Sequence, residues 1–474
     1  MANFSTDYMA NVSALGMALG YKRNFDILKK TIAVGADEVT FFYIDGFVKD
    51  GEIQRVMQYL LGKSTLEDRD GTLRLIPYVE VSAVDDSDTA ITAVLSGQTL
   101  MLASTFGGGG LLLDLRTYPA RQTQEPEGDR VMQGARDGFV ETLIMNTALL
   151  RRRIRDERLT MRHFDVGGSS HTDVVVAYME GIADAKYVSA VIKKIERARP
   201  LTLTMGAQSL AESLVRRRWY NPFPKIRTTE RPDTAAASVL EGSVLVFCDT
   251  SPEVMILPTA IFDFFEEADD YSFPPLTGSY LRIVRILMLL FSVVVTPLWY
   301  LSLEYIDVLP EWMRFITPDT AGALPILAQL FLAELALDGL KLASMNTPNM
   351  LSNSLSVVGG LILGDFAVTV GWFSPDVIFY MACVSIANFA QQNHELGYAF
   401  KFMRVITLTL TAIFGIWGFA LGLAVFVIAV ATNVSVTGKR HYLYPLIPFD
   451  GRAMLRHLLR RKKDDFAPAN KINK

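Results

Sequence analysis

Three carboxylates, Glu334, Asp338 and Asp365, fall inside otherwise apolar stretches of this 474-residue chain. Inserting an ionised side chain at membrane depth costs about 2.5–3.5 kcal/mol, so each is a functional-site candidate. The chemistry such carboxylates suit is cation conduction, because they replace lost hydration and repel anions. In an oligomer, one per subunit suffices for a ring. Two hydroxyls, Thr407 and Thr411, lie in a later apolar run and can line the same wet path. The competing reading puts Glu334 and Asp338 on an interfacial helix facing water, with Asp338 paired to Lys341.

Other chemistry finds little support. The five histidines do not cluster, and Cys248 and Cys383 stand far apart without metal-ligand spacing. No nucleophile is spaced to meet a base, so an enzyme is not expected, nor a metal or cofactor. "FGGGG" (Phe106–Gly110) lacks the Gly-Lys-Ser/Thr of a P-loop. "DVGGSSHTDVVVAY" (Asp165–Tyr178) echoes a phosphate loop, but Gly167-Gly168 reads better as a turn before a strand.

The elements that must position the carboxylates divide the chain in two. Half of the residues are hydrophobic and the mean hydropathy is +0.25, which suggests a soluble part joined to a membrane part. Residues 1–280 read as α/β protein. Strand-like runs are "VTFFYI" (Val39–Ile44), "LRLIPYVEV" (Leu73–Val81), "GLLLDL" (Gly110–Leu115), "DVVVAYM" (Asp173–Met179), "SVLVFCD" (Ser243–Asp249) and "VMILP" (Val254–Pro258). Amphipathic helices are expected at "GEIQRVMQYLLG" and "DAKYVSAVIKKIERA". The polar stretch 118–130 reads as a linker between lobe one (1–117) and lobe two (131–280). The start carries no basic leader before an apolar run, which predicts a cytosolic front.

Residues 281–435 read as a helical transmembrane domain, and 436–474 as a basic cytoplasmic tail. Val284–Leu303 has one charge in twenty residues, with a kink expected at Pro297 and the Thr296 hydroxyl near the freed carbonyl. Val405–Ala431 has no charge and would span roughly 40 Å as one straight helix. Between them lie Leu324–Ala343, Leu355–Phe373 and Val377–Gln391. Arg282 and Arg285 before the first span, and a tail including Arg452, Arg456, Arg460, Arg461, Lys462 and Lys463, put both ends on the cytoplasmic side. The number of crossings is then even. About four are expected, with the charged Leu324–Ala343 segment left out; Lys401 and Arg404 then fall on the outer side. In the last run Thr407, Thr411, Gly415, Gly418 and Gly422 form one stripe of small residues suited to close helix packing, and Gly360 with Gly364 makes a second GxxxG.

"NTALLRRRIRDERL" (Asn146–Leu159) holds five arginines in eight residues. On a helix from Phe139 to Leu159, Arg152 would face Asp156 and Arg153 would face Glu157. No aromatic residues interleave, which disfavours nucleic acid. A salt-bridged face or subunit contact is the plainer reading; membrane lipid headgroups or an acidic partner are the others.

Several long segments in fixed order carry a resemblance. "GARDGFVETLIMNTALLRRRIRDERL" (Gly134–Leu159), "DVVVAYMEGIAD" (Asp173–Asp184), "NPFPKIRTTERPDTAAASVLEGSVLVFCDTSPEVMILPT" (Asn221–Thr259), "DDY" (Asp269–Tyr271) and "LRIVR" (Leu281–Arg285) resemble the spore germination A-subunit (GerA-type) family of endospore formers. "RDGFVE" and "GWFSPDVIFY" are most similar to its stage V sporulation AF-type branch. The resemblance implies a bilobal cytosolic domain and a membrane domain in the spore inner membrane. It also implies homo-oligomers, other germination membrane proteins as partners, and release of monovalent cations during germination. Arg151, Arg152, Arg153, Asn221, Pro222, Glu230, Arg231, Pro232 and Asp249 are its motif residues here, expected to be structural. The sequence departs from the family at "QQNHEL" (Gln391–Leu396) and at Gly364-Asp365. A non-conducting scaffold or sensor, or a solute transporter, remains the alternative to a channel subunit.

Overall fold

The computed structural model describes residues 4–78, 80–116, 131, 134–198, 203, 205–215, 220–318, 322–346, 359–391, 393–433, 436 and 442–459. The expected linker lies outside them.

The first lobe runs α1 (Tyr8–Leu19), β1 (Ile27–Val34), β2 (Asp37–Ile44), α2 (Asp50–Leu61), α3 (Arg69–Leu75), β3 (Val81–Val84), α4 (Ser87–Leu95), β4 (Thr99–Ala103) and β5 (Gly110–Leu113). The second repeats that order with α5 (Leu143–Arg153), β6 (Leu159–Val166), β7 (Thr172–Met179), α6 (Ala185–Arg197), α7 (Ala207–Leu214), β8 (Arg227–Thr229), α8 (Pro232–Leu240), β9 (Val244–Cys248) and β10 (Val254–Leu257). The sheets are β1-β2-β4-β5-β3 and β6-β7-β9-β10-β8, antiparallel throughout, so position for position they are the same fold. The duplication is visible in the chain. Val39, Tyr43, Asp45 and Gly46 recur as Val174, Tyr178, Glu180 and Gly181, and both glycines take a left-handed φ, 78° and 79°.

Each sheet is covered on both faces. In lobe one, α1 and α4 pack on one side and the α2–α3 region on the other. In lobe two, α5 and α8 pack on one side and α6 and α7 on the other. Burial on both faces explains why β4, β5, β9 and β10 are buried at every position and, Thr99 apart, apolar rather than alternating.

The structure corrects two local expectations. "LRLIPYVEV" is not one strand: its front belongs to α3, whose cap Asp68 accepts from the Gly71 amide at 2.9 Å, and only Val81 onward is extended. The arginine helix is shorter than Phe139–Leu159. It stops at Arg153, so the pairs Arg152 with Asp156 and Arg153 with Glu157 do not share a helix. Arg153 bonds Asp137 at 2.6 Å instead, and Asp156 bonds Arg158 at 2.7 Å.

Helix α9 (Asp269–Ser272) leads into α10 (Pro275–Glu304), which continues through Pro297. The Thr296 hydroxyl is buried without a hydrogen-bond partner among the described residues, contrary to expectation. Next come α11 (Ile326–Asn346), a π-helical turn Leu361–Phe366, a helix Pro375–Phe389 and the long element His394–Ala431.

That last element is not a straight span. Gly415 has φ 59° and ψ −134°, a combination open to glycine and closed to helices. Beyond it the chain doubles back. A Cβ on Gly418 would sit 1.9 Å from the Leu410 carbonyl oxygen, and one on Gly422 would sit 2.7 Å from the Thr407 Cα. Residues 394–414 and 416–431 are therefore two antiparallel legs of a helical hairpin. Its tip lies beside Tyr305 at the far end of α10, and both feet lie at the lobe end, where Gln391 donates to the Phe264 carbonyl and Asn221 to that of Ala429.

Candidate ion pathway and its coupling to the lobes

Helix α11 packs beside the Pro375–Phe389 helix and presents Glu334 and Asp338 one turn apart. The outgoing hairpin leg presents Lys401 and Arg404 to them. Glu334 accepts from Arg404 at 2.6 Å and lies 3.2 Å from Lys401, which also pairs with Asp338. Arg404 is 2% exposed and further donates to the Ser292 carbonyl at 3.4 Å. Two acids and two bases cancel, which is how ionised groups survive among apolar helices. Lys341 is not Asp338's partner; it lies 4.6 Å over the Tyr398 ring. Lys401 and Arg404 form the other half of this cluster.

The remaining pathway candidates are placed differently. Thr407 and Thr411 are fully buried, and their hydroxyls donate to the Met403 and Thr407 carbonyls at 2.8 and 2.7 Å. They back onto Gly418 and Gly422 of the return leg, while Gly415 forms the bend; the five residues do not form one stripe on one helix. Asp365 is exposed and, among the described residues, takes no part in the ion pairs of Glu334 and Asp338. A side chain at its neighbours Gly360 and Gly364 would meet nothing within 4 Å among the described residues.

Where α10 leaves the lobes, Arg282 and Arg285 are buried rather than presented to headgroups. Arg282, fully buried, donates to Asp270 at 3.0 Å and to the His457 carbonyl at 3.1 Å. Arg285 donates to the Phe265 carbonyl at 2.8 Å, reaches Asp270 at 3.3 Å and pairs with Glu267. His457, on the tail helix Gly451–Leu458, lies 2.9 Å from Glu266. Burial pushes the Tyr271 hydroxyl in this cluster up to about 12, so it stays protonated.

The 221–224 segment makes a second junction. Asn221 donates to the Ala429 carbonyl at 2.9 Å and accepts from the Phe223 amide at 3.1 Å. Asn433 donates to the Phe223 and Pro224 carbonyls at 3.4 and 3.3 Å. A cavity of about 800 Å³ opens beside it, bounded by this segment, Glu267 and the hairpin residues His394 and Tyr398.

A family model, Bacillus/Clostridium GerA spore germination protein, matches residues 16–468. The chain belongs to the GerA family. It is similar to stage V sporulation protein AF of Bacillus subtilis (strain 168), with 37% identity over 94% of this chain and 90% of that protein. Spore germination protein KA of the same organism is 24% identical over 92% of this chain and 81% of its own length. Spore germination protein GerQA of Bacillus cereus is 26% identical over 90% and 85%. Among solved structures, the N-terminal domain of the A subunit of the Bacillus megaterium spore germinant receptor GerK3 aligns with 54% of this chain and 96% of its own, at 22% identity and a TM-score of 0.39.

The residues expected from the resemblance to be motif positions occupy connecting places in the fold. Arg151 is fully buried between the lobes, donating to Asp26 at 3.0 Å and to the Leu159 carbonyl at 3.1 Å. Asp249 accepts from the Leu143 amide at 3.0 Å and so caps α5, which supplies Arg151, Arg152 and Arg153. The Glu230 carbonyl accepts from the Phe139 amide at 2.7 Å, Arg231 bonds Asp233 at 2.6 Å, and Pro232 opens α8. Asn221 and Pro222 belong to the hairpin junction. The sequence reading missed Lys401, Arg404, Phe223 and His457. For the first two, the signal was a pair of bases three apart that the assumed topology left unexplained.

Proposed function

We propose that this GerA-family chain is an oligomeric subunit of the spore inner membrane that conducts monovalent cations, or gates their conduction, when endospores germinate. The observation that carries the reading is the neutral cluster of Glu334, Asp338, Lys401 and Arg404, set between apolar helices. A cluster at that depth is stable only while α11 and the hairpin stay together. Separating them frees two carboxylates for a hydrated cation path. In the packing described here the carboxylates are neutralised, which corresponds to a closed state. Asp365 and the Gly360–Gly364 surface suit contact with a second copy. Arg282 and Arg285 lock the start of α10 to the second lobe, so a signal that shifts the lobe shifts the helix.

Two helices, Pro275–Glu304 and His394–Ala431, are long and apolar enough to cross a membrane. Among the described residues, α10, α11, the 359–369 stretch, the Pro375–Phe389 helix and the two hairpin legs alternate in direction. We take them as six membrane legs, an even number that keeps both lobes and the tail cytoplasmic.

The scaffold reading is favoured by the same neutrality: Glu334, Asp338, Thr407 and Thr411 are all satisfied inside the fold. Potassium efflux from liposomes holding the purified protein separates the two. Conduction predicts a leak that falls when Glu334→Gln, Asp338→Asn and Asp365→Asn are combined. An unchanged leak in that variant would sink the electrostatic mechanism, and no leak from the parent protein would favour the scaffold.

A further inference from the structure

An aromatic contact joins the feet of the hairpin to the second lobe, beside the hydrogen bonds of Asn221 and Asn433. Phe223 is 2% exposed, and its ring centre lies 5.9 Å from Phe400 on the outgoing leg and 6.0 Å from Phe426 on the return leg. Those two rings are 5.4 Å apart, so the three form a triangle with one vertex from the lobe. Aromatic pairs at this spacing attract beyond the area they bury.

The backbone around Phe223 is built to transmit rather than absorb movement. Pro222 and Pro224 flank it and fix their own φ angles. Asn221 and Asn433 tie the segment to the hairpin end by the three bonds given above. Three residues after Pro224 the chain enters β8, the edge strand of the second sheet. A shift of that sheet therefore moves Phe223 directly. The receiving side is equally stiff, because Gly418 and Gly422 lie against the opposite leg with no space for compression. Packed legs of this kind switch between arrangements rather than deform continuously.

We propose that Phe223 is the positioning residue through which the second lobe sets the packing of the two hairpin legs, by a contact distinct from the Arg282 and Arg285 ion pairs of α10. The inference rests on the reading of the hairpin as a membrane element.

The test uses the full chain in proteoliposomes, with Cys383→Ser and a reporter Val430→Cys on the return leg, where the native side chain is 6% exposed. Native Cys248, 1% exposed on β9, reports on the integrity of the lobe. Labelling by a water-soluble maleimide is followed by mass spectrometry. Phe223→Ala should speed labelling at position 430 about tenfold, Phe223→Leu less, and Phe223→Tyr hardly at all, with Cys248 unlabelled throughout. Unchanged labelling at 430 in Phe223→Ala would overturn the proposal. So would parallel opening of Cys248, which would make Phe223 merely a residue of the lobe core. Potassium efflux from the same vesicles keeps the two readings apart. Faster labelling without altered efflux upholds the positioning role and counts against conduction. Altered efflux without faster labelling does the reverse.

Discussion

Replacing Arg151 with methionine tests whether the arginine run is internal architecture. In the native structure its guanidinium donates to Asp26 at 3.0 and 3.4 Å and to the Leu159 and Asp156 carbonyls at 3.1 and 3.4 Å. The arginine side chain is 0% exposed and the aspartate 2%. Arg151→Met strands a buried carboxylate and removes a donor from two carbonyls, which costs about 3–5 kcal/mol. Asp26→Asn still accepts a bond and should cost about 1–2 kcal/mol. Removing both partners, as Arg151→Met with Asp26→Leu, should recover much of the loss, because apolar replacements of a buried pair are often neutral. The predicted coupling is at least about 2 kcal/mol. With a urea slope of roughly 2 kcal/mol/M, the single arginine variant should lower the unfolding midpoint by about 2 M. Pulse proteolysis of the full-length chain in mild detergent measures this. A loss below about 1 kcal/mol for Arg151→Met, or strictly additive effects in the cycle, would refute the buried-pair account.

Three further expectations concern separate parts of the molecule. Gly418→Leu should prevent the hairpin from closing, since even a Cβ there lies 1.9 Å from a carbonyl oxygen; the cost exceeds the ~1–3 kcal/mol typical of overpacking. Detergent thermostability and membrane yield should both fall, whereas Gly339→Leu, where a side chain meets nothing within 4 Å among the described residues, should leave them near the parent. The Arg116 hydrogen bond holds the Asp114 carboxyl below the usual carboxylate range. A depressed folded value means that its stabilisation is present above the ordinary value of about 3.9 and is lost as pH falls through the folded value. Arg116→Gln should therefore flatten the loss of stability below about pH 4, as read from unfolding midpoints between pH 6 and 3. Glu334→Gln should weaken docking of α11 less than Arg404→Leu does, because the latter leaves the Glu334 carboxylate to Lys401 alone and also removes a donor from the Ser292 carbonyl; protease sensitivity of the α11 region ranks the two.

The parts legible in the sequence are those that local burial dictates. Runs such as "DVVVAYM" and "SVLVFCD" announce strands because both sheet faces are covered and almost every position must be apolar. β6 was not legible, since an edge strand with exposed Arg162, His163 and Asp165 owes its conformation to pairing with β7. The carboxylates Glu334 and Asp338 stood out against their apolar surroundings, but their bases lie more than sixty positions further on, and no local pattern reports such a pairing. The Gly415 bend was hidden for another reason. Glycines are common in membrane helices, and a single residue reverses the chain without any polar punctuation. The duplicated lobes were legible in principle, in the repeat of Val39, Tyr43 and Gly46 as Val174, Tyr178 and Gly181.

A helix pair joined by one glycine has a consequence for biogenesis. Residues 405–431 carry no charge, and their turn has no hydrophilic loop to be translocated. On the proposed membrane reading, the pair enters the bilayer as a single wedge from the side where the lobes stay, with its main-chain groups already bonded within each leg. Its orientation is then inherited from where both stems remain, so adding lysines near the tip should block entry rather than invert it.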